Sequence, residues 1–449
     1  MTRLPRSTPA AQGVDASGID AFITALDRTP DVELHSLMVL RHGHVVAERW
    51  WHPYRPDAPH LLYSLSKSFA STALGFAVTE GLVDLDATVL SYFPEYDARV
   101  TDPRSRSILV RHVASMTSGH ADETIDEAFQ AGAGDLTLGL LLLPPQREPG
   151  TFFAYNQPCT NALSAIIERV SGASLTEFLR PRLFEPLGIG RYGWWPDPIG
   201  RDQGFSGLHL TTESVAKVGQ LYLDGGSWQG RRLLPAEWVA EATRAHVDTD
   251  RDSPDWSRGY GFQFWRSRHG YRGDGAHGQY MLILPEADAV VAITSQSPDM
   301  QAVLDQAWTH LLPALTRSGP PGPWPAGSPE LDRPAGDGST GELAEATYRP
   351  GPANTVDTLK TVRLRPGEIL LDDGWELTAE LGAPDSWTVV GPVATAHAWS
   401  GGRLLVDLVF TEGPHRLHLT LDPATGTFAA AWQAAPLAPV PLAAQRMPR

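Results

Sequence analysis

Two residues of this sequence could do chemistry together, because a serine and a lysine stand three positions apart at Ser64 and Lys67. On a helix, positions i and i+3 share a face, so both side chains would point to one place. Lysine is scarce in the chain, where 36 residues are basic and all except Lys67, Lys217 and Lys360 are arginine. A buried amine can lose its proton and act as a base, which a guanidinium cannot. The pair predicts a serine nucleophile activated by a lysine.

A second partner for Ser64 is predicted at Tyr155, in the run Tyr155-Asn156-Gln157 just before a helical pattern. A serine nucleophile needs a group that takes its proton and donors that stabilise the oxyanion of the reacting carbonyl. Beside two cations, a phenol would ionise below its free pKa of about 10 and serve as a further base. The amides of Asn156 and Gln157 are candidates for binding the substrate.

The third candidate segment, Gly275-Ala276-His277, precedes an apolar strand pattern over residues 280–284. Glycine in such a strand would allow the backbone to pass close to a bound substrate. The N–H of Ala276 or His277, together with that of Ser64, would form an oxyanion hole. The side chain of His277 is either catalytic or substrate-binding, or it is a partly buried histidine with a satisfied hydrogen bond.

Two adjacent tryptophans, Trp194 and Trp195, lie in a segment without helical or strand periodicity. Loops of this kind often border functional sites. The two indoles are therefore candidates for lining an apolar pocket around the acyl group. The alternative is a surface loop folded over the core.

The elements that must position these residues predict an α+β fold. A hairpin pattern occupies residues 34–51, and the helical segment around Ser64 begins a mainly helical middle part. Three strand patterns follow between residues 260 and 294, and a helical pattern over 300–315 closes the unit. Strands and helices bury their apolar faces by packing on one another. The predicted architecture is an antiparallel sheet flanked by helices, with a helical insert.

The C-terminal part of the chain has a different composition. Residues 319–341 are rich in Pro, Gly and Ser, which is typical of a linker. Short strand patterns separated by glycine-containing turns follow and favour a small β-barrel or sandwich. The sequence therefore predicts a first domain over residues 1–318, a linker over 319–341 and a small all-β domain over 342–449.

Charge and composition limit the partners of the chain. The 36 basic and 52 acidic residues give a net charge of −16, which disfavours binding to nucleic acid or to an anionic membrane. No signal-peptide pattern and no run of the roughly 20 apolar residues of a membrane span is found, so a cytoplasmic location is expected. The single cysteine, Cys159, leaves no internal disulfide, and no motif predicts a metal site or a cofactor. A small-molecule ester, amide or peptide is the expected partner.

The three motifs together resemble a known family. In their order along the chain, Ser64-x-x-Lys67, the tyrosine of Tyr155-Asn156-Gln157 and the glycine-rich strand at 275–279 are similar to those of the class C β-lactamase-like serine hydrolases. That group includes penicillin-binding proteins and family VIII esterases, and the resemblance covers residues 13–315. It implies the β-lactamase/transpeptidase-like fold and catalysis by Ser64, Lys67 and Tyr155. The C-terminal segment resembles the small lipocalin-like modules that sometimes follow this domain.

Two departures from the family pattern bear on the substrate. The family's Tyr-x-Asn motif has Gln157 in its third position here. The family's Lys-Thr-Gly motif aligns with residues 273–275, or with 271–273 if the alignment is shifted, and its lysine is absent in either case. The carboxylate of Asp274 would repel a substrate carboxylate unless Arg272 or His277 supplies positive charge. An ester or a neutral amide fits this site better than a β-lactam.

Two classes of function follow from these residues. In the first, the chain is a serine hydrolase, an esterase or a peptidase/amidase, that forms an acyl-Ser64 intermediate. An acyltransferase would use the same intermediate and pass the acyl group to an amine or alcohol. In the second class, the chain is a non-catalytic binding or sensor protein of the same fold that captures a peptide or acyl ligand. Formation of a covalent adduct on Ser64 separates the two classes.

Overall fold

A six-stranded antiparallel sheet forms the centre of the N-terminal part of the chain. The computed structural model describes residues 3–319 and 329–448. The described strands before residue 319 are β1 (Glu33–Arg41), β2 (His44–Trp50), β3 (His60–Leu61), β4 (Tyr192–Trp194), β5 (Leu208–Leu210), β6 (Ser227–Trp228), β7 (Arg231–Arg232), β8 (Trp265–Arg266), β9 (Tyr271–Gly275), β10 (Gln279–Leu284) and β11 (Ala289–Gln296). The order in the sheet is β2-β1-β11-β10-β9-β8, and each neighbouring pair is antiparallel. The predicted antiparallel sheet is confirmed.

The hairpin of β1 and β2 shows how the sequence builds this sheet. His42 and Gly43 connect the strands with φ angles of 49° and 72°, which is the left-handed pair that a two-residue hairpin turn requires. Along β1, Leu37 packs into one core and Met38 into the core on the opposite face of the sheet. Because both faces are covered, β1 is an apolar run instead of an alternating one.

Helices cover the two faces of the sheet. The described α-helices are α1 (Ala16–Asp27), α2 (Ser66–Thr79), α3 (Pro103–Arg106), α4 (Val110–Ala114), α5 (Ile125–Ala131), α6 (Leu136–Leu142), α7 (Gln157–Ser171), α8 (Leu175–Leu179), α9 (Thr212–Leu223), α10 (Ala236–Thr243), α11 (Met300–Gln306) and α12 (Leu312–Leu315). One face packs against α1, α11 and α12, and the other against the helical insert α2–α10. A search of residues 3–319 and 329–448 finds no helix with the length and apolarity to cross a membrane.

A nine-stranded sheet forms the C-terminal part. Its strands are β12 (Ala346–Pro350), β13 (Thr361–Arg365), β14 (Glu368–Asp372), β15 (Glu376–Glu380), β16 (Thr388–Val390), β17 (Val393–Ser400), β18 (Arg403–Phe410), β19 (Arg416–Asp422) and β20 (Thr427–Trp432). The order is β15-β14-β13-β12-β20-β19-β18-β17-β16, with β12 and β20 parallel. Thr395 of β17 donates a hydrogen bond to the carbonyl of Glu380 in β15, so the two ends of the order meet and the sheet is nearly closed. This part is all-β, as predicted.

The interior of the C-terminal barrel is filled by its own side chains. Val406 and Leu408 of β18 and Leu419 of β19 are buried in one apolar cluster that belongs to these strands. Residues 320–328 of the predicted linker lie outside the described residues, and the domain boundaries at 318 and 341 stay predictions. After this gap, Leu331 N–H donates to His52 O, so the chain pairs with the N-terminal part before it enters the barrel.

Candidate active site

Ser64 lies in a tight turn, Tyr63–Leu65, that joins β3 to α2. The helix begins at Ser66, two residues after the predicted nucleophile. The turn continues into the helix, so the predicted spacing still places Ser64 and Lys67 on one face. The positive end of the α2 dipole lies next to Ser64, where it favours negative charge on the serine oxygen.

Lys67 is almost completely buried and has three acceptors for its three N–H groups. Its Nζ lies 3.0 Å from Ser64 Oγ, 2.5 Å from Gln157 Oε1 and 2.9 Å from Phe205 O. Only 1% of the residue is exposed, and this burial lowers the pKa of the amine to about 7. The negative charges of Glu123 and Asp274 act in the opposite direction but are outweighed by burial. A lysine with this pKa exchanges its proton near neutral pH. Lys67 is therefore a candidate base for the proton of Ser64.

The two amides after Tyr155 support the site from outside the cleft. Gln157 is the first residue of α7, and its side chain accepts from Lys67 instead of pointing to a substrate. Asn156 is fully buried, and its Oδ1 accepts hydrogen bonds from the backbone and hydroxyl of Thr124 at 3.1 and 3.0 Å. Glu123 Oε1 accepts from Gln157 N–H at 3.1 Å and thereby caps α7. Both amides therefore bond to other residues of the protein, Gln157 to Lys67 and Asn156 to Thr124, instead of facing a substrate.

The pKa of Tyr155 shifts in the direction opposite to the one expected from the sequence. Its ring stacks on Trp265 with centroids 5.6 Å apart, and Lys67 Nζ lies 4.7 Å from the ring centroid. Burial raises the pKa of the phenol, and the negative charge of Asp274 raises it further, while a hydrogen bond with Ser64 opposes the shift. Burial outweighs the nearby cations because a phenolate loses its hydration there. A neutral phenol can donate a proton, so Tyr155 is a candidate proton donor, and Lys67 is the candidate base.

Glycine in β9 allows close contact with the turn that carries Ser64. A Cβ atom at Gly275 would lie 2.0 Å from Leu62 O and 3.0 Å from Leu65 N, so no other residue fits without movement. The sequence predicted that this glycine makes room for a substrate, whereas it makes room for the turn itself. The close approach brings Ala276 beside Ser64 in the cleft.

Strand β9 and the residues just after it present no cation to the cleft where the family motif has lysine. Arg272 is fully buried, and its Nε donates to Asp274 Oδ2 at 2.8 Å. Burial lowers the pKa of His277 to about 4, so its imidazole is neutral at neutral pH. The His277 ring packs beside Tyr63 with centroids 5.4 Å apart, and its Nε2 has no hydrogen-bond partner among the described residues. Neither side chain supplies positive charge to the cleft.

The cleft at Ser64 has a volume of about 180 Å³, and several of its residues were missed by sequence reasoning. Besides Ser64, Tyr155, Asp274 and Ala276, its lining consists of Arg251, Trp256, Trp265 and Met300. Trp265 pairs with Arg272 across the hairpin of β8 and β9. Its position one strand before the glycine-rich strand was the signal that could have found it. Arg251 lies in a loop, and its sequence context offers no comparable signal.

A larger cleft adjoins the first one. It measures about 970 Å³ and shares Tyr155 and Arg251 with the smaller cleft. Its lining includes the acidic residues Asp122, Glu123, Asp248 and Asp250. Together the two clefts give Ser64 a mainly acidic and aromatic approach.

The predicted tryptophan pair lies away from these residues. Trp194 of β4 is buried, and its Nε1 donates to Ser206 O at 2.7 Å. Trp195 packs against His209 and donates to Arg446 O at 3.3 Å near the C-terminus. In the described part of the chain, the tryptophans that line the Ser64 cleft are Trp256 and Trp265. Aromatic side chains therefore line the cleft, but they belong to Trp256 and Trp265 instead of the predicted pair.

Comparison with known proteins agrees with this geometry. The sequence model of the Beta-lactamase family matches residues 19–316, which is more than half of the 449 residues. The 6-aminohexanoate-dimer hydrolase of Paenarthrobacter ureafaciens is 28% identical over 324 residues, covering 66% of this chain and 81% of the relative. Penicillin-binding protein 4 of Amycolatopsis lactamdurans is 26% identical over 331 residues, covering 64% and 83%.

A solved structure extends the similarity of fold to the C-terminal part. The octameric penicillin-binding protein homologue of Pyrococcus abyssi superposes with a TM-score of 0.53 at 18% identity, and the match covers 90% of this chain and 98% of that one. This match shows a shared fold over both parts of the chain. The chain belongs to the beta-lactamase family, whose members are serine hydrolases.

Proposed function

We propose that the protein hydrolyses a neutral ester or amide through an acyl-Ser64 intermediate. The observation that supports this most directly is the 3.0 Å contact between Lys67 Nζ and Ser64 Oγ in a buried environment that lowers the lysine pKa to about 7. Burial of an amine costs free energy, and here it places a lysine with a lowered pKa in contact with a serine hydroxyl.

The reaction begins with the neutral form of Lys67. The amine takes the proton of Ser64 while Oγ forms a bond to the substrate carbonyl carbon. The negative charge on the carbonyl oxygen is stabilised by the backbone N–H groups of Ser64 and Ala276. When the carbon–oxygen or carbon–nitrogen bond breaks, Tyr155 donates its proton to the leaving group, and the proton held by Lys67 then restores Tyr155.

Deacylation repeats these steps with water as the nucleophile. Lys67 takes a proton from water, the hydroxide oxygen bonds to the acyl carbon, and Ser64 leaves with a proton from Tyr155. The proton on Lys67 returns to Tyr155, so the enzyme ends in its starting state. Transfer to an alcohol or amine would follow the same route with that acceptor in place of water.

The charges of the cleft support a substrate without a carboxylate next to the reacting carbonyl. Asp274 occupies the middle position of the segment 273–275 that aligns with the family's Lys-Thr-Gly motif, and its charge partner Arg272 is buried behind it. A β-lactam carboxylate placed there would meet a like charge. The relative from P. ureafaciens is named a hydrolase of 6-aminohexanoate dimer. That compound belongs in a substrate panel with p-nitrophenyl esters, D-peptides and nitrocefin.

Pre-steady-state hydrolysis of p-nitrophenyl butyrate tests the proposal. We expect a burst of one p-nitrophenol per chain and a matching mass increase on Ser64, both absent from Ser64→Ala. Ser66→Ala is the matched control, because the Ser66 hydroxyl accepts the N–H of Leu208 at 3.1 Å, whereas Lys67 donates to Ser64. Absence of burst and adduct in the wild-type protein would contradict the proposal and favour a non-catalytic binding protein. Product analysis with added alcohol or amine then identifies the acceptor.

A further inference from the structure

A loop of the C-terminal barrel contacts the segment that leads to Ser64. The loop spans residues 411–415, between β18 and β19. Its Glu412 O accepts the N–H of Leu61 at 2.8 Å, and its Gly413 O accepts the hydroxyl of Tyr54 at 3.0 Å. Leu61 is the last residue of β3, three positions before Ser64. The barrel therefore hydrogen-bonds directly to the strand that leads into the Ser64 turn.

The residue just before the nucleophile has an unusual backbone conformation. Tyr63 has a φ of 49°, in the left-handed region that bulky residues rarely occupy. Such a conformation costs free energy and persists only where the surrounding structure holds it. Because Ser64 follows directly, a change in the Tyr63 backbone would move Ser64 Oγ relative to Lys67.

His415 of the loop holds the Tyr63 side chain. The Tyr63 hydroxyl and His415 Nε2 are 2.7 Å apart, and the residues are 4% and 1% exposed. His415 Nδ1 lies 3.0 Å from Ala434 O, and a carbonyl can only accept, so Nδ1 carries the hydrogen. Nε2 is then the acceptor, and Tyr63 donates to it. Burial lowers the pKa of His415 to about 3, which keeps this neutral form at neutral pH.

We propose that His415 is a positioning residue for Ser64, acting through Tyr63, and that the C-terminal barrel is thereby a working part of the active site. The inference rests on the proposed function only in taking Ser64 as the nucleophile. It assigns the barrel a role that needs no ligand of its own, in agreement with an interior filled by apolar side chains. The buried hydrogen bond keeps Tyr63 left-handed and Ser64 Oγ within reach of Lys67.

Kinetics of full-length variants test this role. His415→Leu removes the acceptor, whereas His415→Gln keeps an oxygen that can accept from Tyr63. We expect His415→Leu to lower kcat about tenfold to a hundredfold with KM within about twofold, because displacement of a reacting atom acts on the chemical step. His415→Gln should recover most of the loss. A merely structural role would lower the melting temperature of both variants without this difference in kcat.

Tyr63→Phe provides a second route if His415→Leu does not fold. It removes one oxygen and should reproduce the fall in kcat, and the double variant Tyr63→Phe/His415→Leu should lose no more than either single variant, because both remove the same bond. His418→Ala is the matched control on the same sheet, since its side chain is 44% exposed and binds Asp407. Its kcat should stay within about twofold of wild type.

The rate of Ser64 labelling by a fluorophosphonate separates the possible failures. Slower labelling of Tyr63→Phe and His415→Leu than of wild type supports the inference. Equal labelling of all variants, with unchanged kcat, overturns the inference and leaves the proposed function intact. A loss in His418→Ala equal to that in His415→Leu, or no recovery in His415→Gln, also overturns it. No labelling of the wild-type protein would remove both proposals.

Discussion

The two walls of the Ser64 cleft differ in how they are built. The acylation wall consists of Ser64, Lys67, Tyr155 and Gln157, and the strand wall consists of Arg251, Trp256, Trp265, Asp274 and Ala276. In the acylation wall the titratable groups bond to one another, as in the contact of Lys67 with Ser64. In the strand wall the carboxylate of Asp274 pairs with Arg272, which is buried behind the wall. In the proposed function, the first arrangement provides reactivity and the second limits which substrates approach.

Burial alone does not distinguish a catalytic lysine, as a second lysine shows. Lys217 is only 3% exposed, and burial lowers its pKa as well. Among the described residues, its Nζ has one long hydrogen bond, 3.4 Å to Gly188 O, and no serine hydroxyl as a partner. The acylation wall is therefore defined by what the amine of Lys67 contacts.

The largest expected effect is the loss of the base from the acylation wall. Lys67→Met should lower kcat/KM for p-nitrophenyl butyrate by about a thousandfold, because general-base catalysis contributes on this scale. The control Lys217→Met removes another buried amine and should change kcat/KM by less than about threefold. A thousandfold loss in the control, or a small loss in Lys67→Met, would contradict the assignment of the base.

The next effect concerns the proton donor. Tyr155→Phe keeps the ring stacked on Trp265 and removes the hydroxyl, and it should lower kcat by about a hundredfold with a small change in KM. The loss should shrink for leaving groups that need no proton, such as p-nitrophenolate compared with an alkoxide. Tyr348→Phe, at another buried tyrosine, is the control. An equal loss for both leaving groups would remove the donor role from Tyr155.

A third prediction tests the contact between the two walls. Gly275→Ala places a methyl group 2.0 Å from Leu62 O, so the turn or the strand must move. We expect a lower free energy of unfolding by about 1–3 kcal/mol, as for other overpacked sites, and a loss of kcat. Urea denaturation and steady-state kinetics measure the two effects. Unchanged values of both the free energy of unfolding and kcat would show that the contact of Gly275 with the Ser64 turn does not position the site.

The smallest effect is expected at the rim of the strand wall. The guanidinium of Arg251 lies 5.9 and 5.7 Å from the ring centroids of Phe153 and Trp265, and it is the cation that lines the cleft. Arg251→Gln should weaken kcat/KM about fivefold for esters with a distal carboxylate and leave neutral esters unchanged, as for an exposed ion pair. The control is Arg258→Gln, which alters another exposed arginine. Equal effects on both ester types would exclude this discrimination.

The residues of the acylation wall could be predicted from the sequence because their signals are local. The spacing of Ser64 and Lys67 and the run at Tyr155 stand in short motifs, and the structure brings these side chains together. The strand wall depends on pairing between distant segments, such as Trp265 with Arg272, which no local pattern reveals. The pKa of Tyr155 depends on burial, which composition does not report, so its direction was predicted wrongly.

The fold shows the same difference between local patterns, which are predictable, and long-range pairing, which is not. Turn residues and apolar runs predicted the hairpin of β1 and β2 and the all-β nature of the C-terminal part. They did not predict the strand order, in which Leu37 of β1 pairs with Ile293 of β11 far along the chain. The contact of His415 with Tyr63 joins residues 352 positions apart and has no counterpart in the sequence pattern. Long-range contacts of this kind arise from packing of complete elements.

The pH dependence of Ser64 labelling tests the central claim that Lys67 is the base. The reactive form is the neutral amine, so the rate constant with a fluorophosphonate should rise with pH, with a midpoint near the lysine pKa of about 7, and then remain constant. Because burial raises the pKa of Tyr155, its ionisation should produce no falling limb below pH 10. In Lys67→Met the rise should disappear together with most of the rate. A midpoint near 10, or the same profile in Lys67→Met, would contradict the account.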